Sequence, residues 1–434
     1  MAAVATAAAM ALTTAACGSG GSSADSGGDA NTLTYWASNQ GTSIEHDEKV
    51  LTPQLKKFEE ETGIKVNLEV IGWDNLQTRI QTAITSGQAP DVLNIGNTWA
   101  ASLQSTGAFL PFDDANMKAI GGAGKFVETA LATGGAEGQP VTSVPLYGLA
   151  YGLFYNKQMF SEAGLEPPST YAEMVAAAEE LTDPSQDVHG LALAAGSYTE
   201  NAHFAFINAA QNGAELFADD GTPTFSSDGV VEGIHRYLDL MQKHEVAPDG
   251  NAQYGNGVQA VNDFAKHKAA MVISQNNAGS SIEAQGMKND EWGVVPYPTP
   301  AGSEPVASHV AGINLSIFED TGNKEGALKF VKFMTSPETQ KALSSEFKTL
   351  PVLQGAEPTF SDKKEAAETF QNIYNTMSKP LPLVPAEDQF ESAVGQAMNQ
   401  MFATIATGGT VSIEDVRTAM ETAEQQVAAS TTGG

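Results

Sequence analysis

Basic residues are scarce in this chain. Its 434 residues include 22 Lys and Arg against 52 Asp and Glu, which gives a formal net charge of −30 at neutral pH. A surface this negative repels phosphate backbones and anionic lipid, which argues against nucleic acid as a partner and against electrostatic docking on a membrane. With 41% hydrophobic and 17% charged residues, the chain is a globular protein rather than a disordered polyanion.

Long apolar runs and several enzyme signatures are also absent. Beyond the first 16 residues no stretch has 18 uninterrupted apolar residues, which excludes a membrane-spanning helix there. The sequence has no HExxH, GxSxG or Walker A motif, so a zincin site is excluded and we expect neither a metal nor a cofactor. The paired carboxylates of a glycosidase are not excluded, because a chain with 52 Asp and Glu residues contains many possible carboxylate pairs.

The single cysteine, Cys17, follows an uncharged Ala-rich segment. Residues 1–16 read as the apolar core and cleavage site of a signal peptide without its basic start, so we expect a truncated signal peptide. Small residues followed by Cys17 and Gly18 resemble a bacterial lipobox, with Thr14 at the usual Leu position. We predict that Cys17 is lipidated, that residues 17–31 form a flexible tether, and that the protein lies on the extracellular face of the cell membrane.

The first hundred residues alternate between strand and helix patterns. Strand-like segments lie at 33–36, 64–70 and 92–95, and the helical periodicity between them stops at Gly63 and Gly87. This order is typical of an α/β sheet with flanking helices. Further along, the predicted helices are 171–181, 230–243, 258–268, 324–347 with a break at Ser336-Pro337, and 386–429, and the predicted strands are 191–194 and 270–273.

Aromatic and amide side chains follow the predicted strands. Trp36, Trp73, Asn97 and Trp99 stand at or after the first three strand ends, where ligands bind in open α/β sheets. A sugar ring has a C–H face that packs on an aromatic plane and hydroxyls that bond to amides, so this pattern favours a sugar site. Each Trp could instead pack in a core, and some amides could instead cap helices or turns.

Nine short segments carry a more specific signal. They are LTYW at 33–36, FEEETGIKV at 58–66, GQAPDV at 87–92, GLFYNK at 152–157, AGL at 163–165, PPST at 167–170, FAKHKAAM at 264–271, WGVVPYP at 292–298 and ALKFVKFMTSP at 327–337. With the lipobox, they resemble the extracellular sugar-binding proteins of ABC importers, the family related to maltose-binding proteins.

This resemblance implies a two-lobed, periplasmic-binding-protein-like α/β fold. Each lobe would be a mixed sheet flanked by helices, and three hinge crossovers would join the lobes around the ligand. We place the crossovers near 146–147, at the proline-rich 296–300 and at 355–360. The N-terminal lobe is then 32–146 plus 300–357, and the C-terminal lobe is 147–299 plus 358–430.

The predicted ligand site draws on both lobes and the hinge. Its residues are Trp36, Asn39, Trp73, Asn97 and Trp99 in the first lobe, Tyr151, His309 and Gly312 near the hinge, and Tyr198, Asn276, Asn277 and Asp388 in the second lobe. Tyr151 could instead fill a core, and Asp388 could instead cap a helix.

The predicted function is capture of a short neutral oligosaccharide and its delivery to the permease of an ABC transporter. We expect a monomer without enzymatic activity. The alternatives are a secreted glycan-degrading enzyme, such as a glycosidase, and an adhesion lipoprotein without a small ligand. An enzyme would cleave the bound sugar, whereas an adhesion protein would show no thermal shift with any sugar.

Overall fold

The computed structural model describes residues 31–218, 220–360 and 363–431. The predicted signal peptide (1–16), Cys17 and all of the predicted tether except Asn31 lie outside the described residues. Strands are β1 Thr32–Ser38, β2 Lys65–Ile71, β3 Val92–Gly96, β4 Ser143–Leu149, β5 Tyr151–Asn156, β6 His189–Ala192, β7 Ala269–Gln275, β8 Trp292–Val295, β9 Ser308–His309, β10 Ala311–Ile317 and β11 Ser378–Lys379.

The helices alternate with these strands along most of the chain. They are α1 Ile44–Thr62, α2 Trp73–Ser86, α3 Ala100–Ser105, α4 Asp114–Ala119, α5 Glu128–Ala132, α6 Lys157–Ala163, α7 Tyr171–Glu180, α8 Tyr198–Gln211, α9 Asp228–Gln242, α10 Gly257–Ala265, α11 Ala278–Ala284, α12 Lys324–Met334, α13 Pro337–Phe347, α14 Lys364–Thr376, α15 Glu387–Ala406 and α16 Ile413–Thr431. None of them is both long and apolar enough to cross a bilayer, within the part of the chain that is described.

Two separate mixed sheets form the centres of two lobes. The first sheet has the order β2-β1-β3-β10-β4, with β1 parallel to β2 and β3, and β10 antiparallel to β3 and β4. The second has the order β6-β7-β5-β8, with β6 parallel to β7, and β5 antiparallel to β7 and β8. This arrangement confirms the predicted α/β fold. We call the two sheets with their packed helices the first and second lobes.

Each lobe has its own hydrophobic core. In the first, alternate residues of β1 such as Leu33 and Tyr35 pack against Phe58 of α1 and Phe330 of α12. In the second, Phe154 of β5 packs against aromatic rings of α10, α14 and β8. The lobes are therefore separately packed bodies that meet along one face.

The chain crosses between the sheets three times. β4 belongs to the first sheet and β5 to the second, with only Ala150 between them. The chain returns to the first sheet at β10, beyond the proline-rich stretch, whose Tyr297 is buried in the second core. After α12 and α13, which pack on the first lobe, α14 packs on β5 and β8 of the second. The predicted crossover at 296–300 is thus placed later, around Val310.

Candidate functional site

The two lobes meet where β3 ends in the first lobe and α15 begins in the second. Asn97–Trp99 form a single 3₁₀ turn that leads into α3. Trp99 Nε1 donates a hydrogen bond of 3.3 Å to Glu391 Oε2 on α15, and the Thr98 side chain lies beside the same carboxylate. The Ser102 side chain of α3 lies beside Asp388. The carboxyl end of a sheet strand therefore faces acidic side chains of the opposite lobe.

Trp73 and Trp99 form an aromatic corner at the rim of this interface. Trp73 is the first residue of α2 and stays 37% exposed, while Trp99 is buried. Their ring centroids lie 5.6 Å apart with the planes inclined by 68°. Trp73 Nε1 donates 2.8 Å to the carbonyl of Asn39, which fixes the ring. An exposed, fixed indole is the kind of surface on which the C–H face of a sugar packs.

Trp36 has a different environment. It is 9% exposed and packs in a cluster with Leu76 and Ile80 of α2. The guanidinium of Arg79 lies 4.4 Å from the centroid of its ring and also forms an ion pair with Glu69. Because Arg79 already covers the indole, Trp36 acts here as a packed residue of the first lobe rather than as an open platform.

Two predicted residues of the second lobe reach towards the first. Tyr198, the first residue of α8, lies with its Oη 3.4 Å from Gln77 Oε1 on α2. Asn277 Nδ2 lies 3.5 Å from the carbonyl of Gln40. Both distances are long for hydrogen bonds, so these polar groups are held only loosely by protein and could exchange their partners for ligand hydroxyls.

Two predicted amides hold the crossovers. Asn97 Nδ2 donates 2.8 Å to the carbonyl of Val310. Asn276 is buried, accepts a 2.7 Å bond from the backbone N–H of Ala150 and donates 2.6 Å to the carbonyl of Lys348. Their polar atoms connect chain segments that pass between the lobes, so the structure places both at the hinge.

Asn39 and Gly312 likewise have local partners. Asn39 Nδ2 donates 2.6 Å to Asp47 Oδ2 at the start of α1. At Gly312 a Cβ would lie 2.6 Å from the carbonyl oxygen of Tyr147 on the neighbouring strand. The close packing of β10 on β4 therefore accounts for this glycine without a ligand.

A chain of rings connects the hinge to Glu391. Tyr151 Oη lies 3.0 Å from His203 Nδ1, and His203 Nε2 lies 3.3 Å from Glu391 Oε1. The His203 and His309 rings lie with their centroids 4.1 Å apart and their planes inclined by 39°. Burial, followed by the charge of His203, lowers the pKa of His309 well below its usual value, and burial raises that of Tyr151. Both His309 and Tyr151 are therefore neutral at pH 7.

The first two turns of α15 carry three acids, which we call the acid turn: Glu387, Asp388 and Glu391. Burial and then the charge of Glu391 raise the pKa of Glu387 well above its ordinary value, and burial raises that of Asp388. Burial also acts to raise the pKa of Glu391, but the hydrogen bond and charge of His203, with Thr98, hold it below its ordinary value. Glu391 is therefore ionised while Glu387 keeps its proton.

Sequence reasoning missed His203 and Glu391. Glu391 stands four residues after Glu387 on a predicted helix, so the two acids lie on the same helix face. This spacing is the one sequence signal that could have indicated Glu391. His203 is 188 residues away from Glu391, and nothing local to either residue indicates their pairing. Among the described residues, no group of three or more His, Cys, Asp or Glu has the arrangement of a metal site.

Glu200, in the first turn of α8 beside this site, gives a pH-dependent prediction. Burial raises its pKa to about 7, although a hydrogen bond from the backbone N–H of Gly257 opposes the shift. Between the ordinary value of 4.5 and 7 the folded protein binds more protons than the unfolded chain, so the free energy of unfolding falls as the pH rises.

We expect Glu200→Gln to leave stability unchanged near pH 4 and to raise it by about 2 kcal/mol near pH 8. Urea unfolding at several pH values measures this. The exposed Glu180→Gln on α7 is the matched control and should leave the profile unchanged. Parallel profiles for Glu200→Gln and the wild type would contradict the prediction.

The chain matches the family model described as bacterial extracellular solute-binding protein over residues 41–341. It is 29% identical over 294 residues to the multiple sugar-binding protein of Streptococcus mutans, an alignment covering 65% of this chain and 67% of that protein. It is 25% identical over 359 residues to the maltooligosaccharide ABC transporter solute-binding lipoprotein of Streptococcus pneumoniae, covering 80% and 79%.

Solved structures share the whole fold. An ABC transporter solute-binding protein from Thermotoga lettingae, bound with α-D-tagatose, superposes with a TM-score of 0.78 at 25% identity, covering 92% of this chain and all of that one. A maltotriose-binding protein of Thermus thermophilus, bound with maltotriose, has a TM-score of 0.73 at 19% identity, with coverage of 92% and 100%.

Proposed function

Since the chain belongs to the family of bacterial extracellular solute-binding proteins, we propose that it captures a short oligosaccharide between its lobes and delivers it to an ABC transporter permease. The observation that carries this proposal is the aromatic corner of Trp73 and Trp99, on the same lobe where Tyr198 and Asn277 of the opposite lobe make long polar contacts to Gln77 and Gln40. Aromatic platforms opposite hydrogen-bonding groups suit sugars, which have an apolar face and a polar rim.

The named ligands of similar proteins support this class. The relatives named above are described as binding multiple sugars and maltooligosaccharides, and the similar structures hold tagatose and maltotriose. The net charge of −30 and the acid turn disfavour acidic glycans such as uronates. We therefore propose a neutral or basic sugar as the ligand.

We further propose that the protein works outside the cell as a monomer anchored through lipidated Cys17. The lipobox-like sequence and the pneumococcal relative described as a lipoprotein support this anchor. Ligand would favour the closed form through simultaneous contacts with both lobes, and the permease would receive that form. Mass spectrometry of the membrane-extracted protein should detect acyl chains on the peptide that begins at Cys17.

Calorimetric titration with a glycan panel tests the function. The panel includes gluco-, malto-, cello- and manno-oligosaccharides, amino sugars, uronates, amino acids and peptides. We expect binding to short non-acidic oligosaccharides, and the bound sugar should be recovered intact after incubation. Binding to amino acids or peptides alone, or to nothing, would refute the proposal, while cleavage of the sugar would favour the glycosidase alternative.

Replacing Trp73 tests whether its side chain is a platform for the ligand or a packed residue of the core. We expect Trp73→Ala to weaken sugar binding by about 1–3 kcal/mol, because it removes an exposed anchor, and to change the melting temperature little. Trp36→Ala, in contrast, should lower stability by about 3–5 kcal/mol, because it empties a packed site. Calorimetry and thermal melting of both variants measure these effects. If Trp73→Ala unfolds the protein instead, Trp73 is a core residue.

A further inference from the structure

The acid turn holds three carboxylate oxygens that have no hydrogen-bond donor. Both oxygens of Glu387 and Oδ1 of Asp388 are buried without a donor, and Glu387 is only 1% exposed. The Glu387 carboxyl lies close to that of Glu391, whose charge helps to raise the pKa of Glu387. Leaving a buried acceptor unpaired costs about 1–3 kcal/mol, so such groups need an explanation in a native structure.

The charges that act on these acids come mainly from the acids themselves. Glu391 and Asp388 act on Glu387, Glu391 acts on Asp388, and His203 of α8 acts on Glu391. Among the described residues, lysine and arginine are not among the main influences on the pKa values of these three acids. Two neutral hydroxyls, those of Thr98 and Ser102, reach the acid turn from the first lobe.

The acid turn lies at the lobe interface, where a ligand can reach it. Trp99 of the first lobe donates a hydrogen bond to Glu391 of the second, and Ser102 lies beside Asp388, so separation of the lobes uncovers these acids. Thr98, which lies beside Glu391, also lines a cavity of about 10 Å³ together with Val310 and Leu383. Opening of the lobes therefore has to enlarge this space before a ligand group reaches the acids.

We propose that the acid turn binds a protonated amino group of the sugar, which makes the ligand a basic oligosaccharide. An ammonium group supplies three donors and a positive charge, which match the three acceptor oxygens without donors and favour release of the proton that Glu387 holds. A sugar hydroxyl donates one hydrogen and neutralises no charge. This inference rests on the proposed function and specifies the ligand of the same cleft.

The test compares sugars that differ only in an amino group. Calorimetry is run with glucosamine against glucose, chitosan trimer against cellotriose, and trehalosamine against trehalose. We expect the amino member of the pair that fits the cleft to bind at least about tenfold more tightly, the scale of a charge-assisted bond. Because Glu387 holds a proton in the ligand-free protein, binding of the ammonium group should release protons, which titrations in buffers of different ionisation enthalpy measure.

A variant of the acid turn provides the second measurement. Glu387→Gln keeps the shape of the side chain but cannot release a proton to become a carboxylate, so the amino sugar should lose its advantage over its hydroxyl counterpart. Exposed Glu421→Gln on α16 is the control. Equal binding of amino and hydroxyl sugars, or capture of spermidine or Ca²⁺ by this turn, would overturn the inference but leave sugar binding intact. If no sugar of the whole panel binds, the proposed function fails as well.

Discussion

Gly395→Val is expected to lower the free energy of unfolding by more than about 3 kcal/mol and to abolish sugar binding. A Cβ at Gly395 of α15 would lie 2.0 Å from the carbonyl oxygen of Tyr198 and 2.7 Å from its carbonyl carbon. The obstacle is backbone, so no side-chain rotation relieves it, and α15 has to move away from α8. These helices carry Glu391 and His203, so the same displacement distorts the site.

Thermal melting and calorimetry measure both effects in one preparation. Ala403→Val is the matched control, because Ala403 is exposed on the same helix and receives the same β-branched side chain. The control should retain binding and nearly all of its stability. Unchanged melting and affinity in Gly395→Val would show that the two helices are not packed as closely as described.

Glu391→Ala is expected to cost about 3–5 kcal/mol of stability, the effect of removing one partner from a buried ionic pair. The substitution leaves Trp99 Nε1, the Thr98 hydroxyl and His203 Nε2 without their shared acceptor. Because those donors come from both lobes, the ligand-free protein should also open. Small-angle scattering would then record a larger radius of gyration.

Glu391→Gln tests how much of the expected loss of stability comes from removing the negative charge of the carboxylate. The amide retains one acceptor oxygen, so Trp99 or His203 keeps its bond, and we expect an intermediate loss of stability. Exposed Glu421→Ala serves as the control for removal of a surface charge. If Glu391→Ala melts like the wild type and scatters identically, Glu391 does not join the lobes.

Local signals were sufficient for many of the elements. α1 and α2 end at Gly63 and Gly87, both in the left-handed conformation that glycine adopts readily. Thr170 is the N-cap of α7, and its side chain and that of Glu173 form a reciprocal capping box. These stops and caps depend on residues within one turn of each other, which is why the sequence alone predicts them.

Elements without a solvent-facing side were harder to predict. α8 is buried on nearly every face from Asn201 to Gln211, so it lacks the polar stripe that reveals an amphipathic helix. The apolar run from 148 to 155 is two strands in two sheets, divided at Ala150. β6 spans His189–Ala192 rather than 191–194, because its pairing with β7 sets its limits.

The candidate site also contains some residues whose place follows from local sequence and others whose contacts depend on tertiary packing. The place of Trp73 and Trp99 at the lobe interface was predictable because both follow the carboxyl ends of strands in the first sheet. Trp36 also stands at a strand end, but Arg79 of α2 covers its ring, a tertiary contact that strand order does not reveal. The pairing of His203 with Glu391 depends in the same way on the packing of α8 against α15.

The position of β10 has a consequence for biosynthesis. This strand lies between β3 and β4 in the first sheet, yet the ribosome makes it only after the whole second sheet. Until residue 317 has emerged, β4 lacks the strand partner that connects it to β3. The first lobe therefore cannot mature as an independent amino-terminal domain during translation. Such late completion delays folding of the first lobe until about three quarters of the chain has been made.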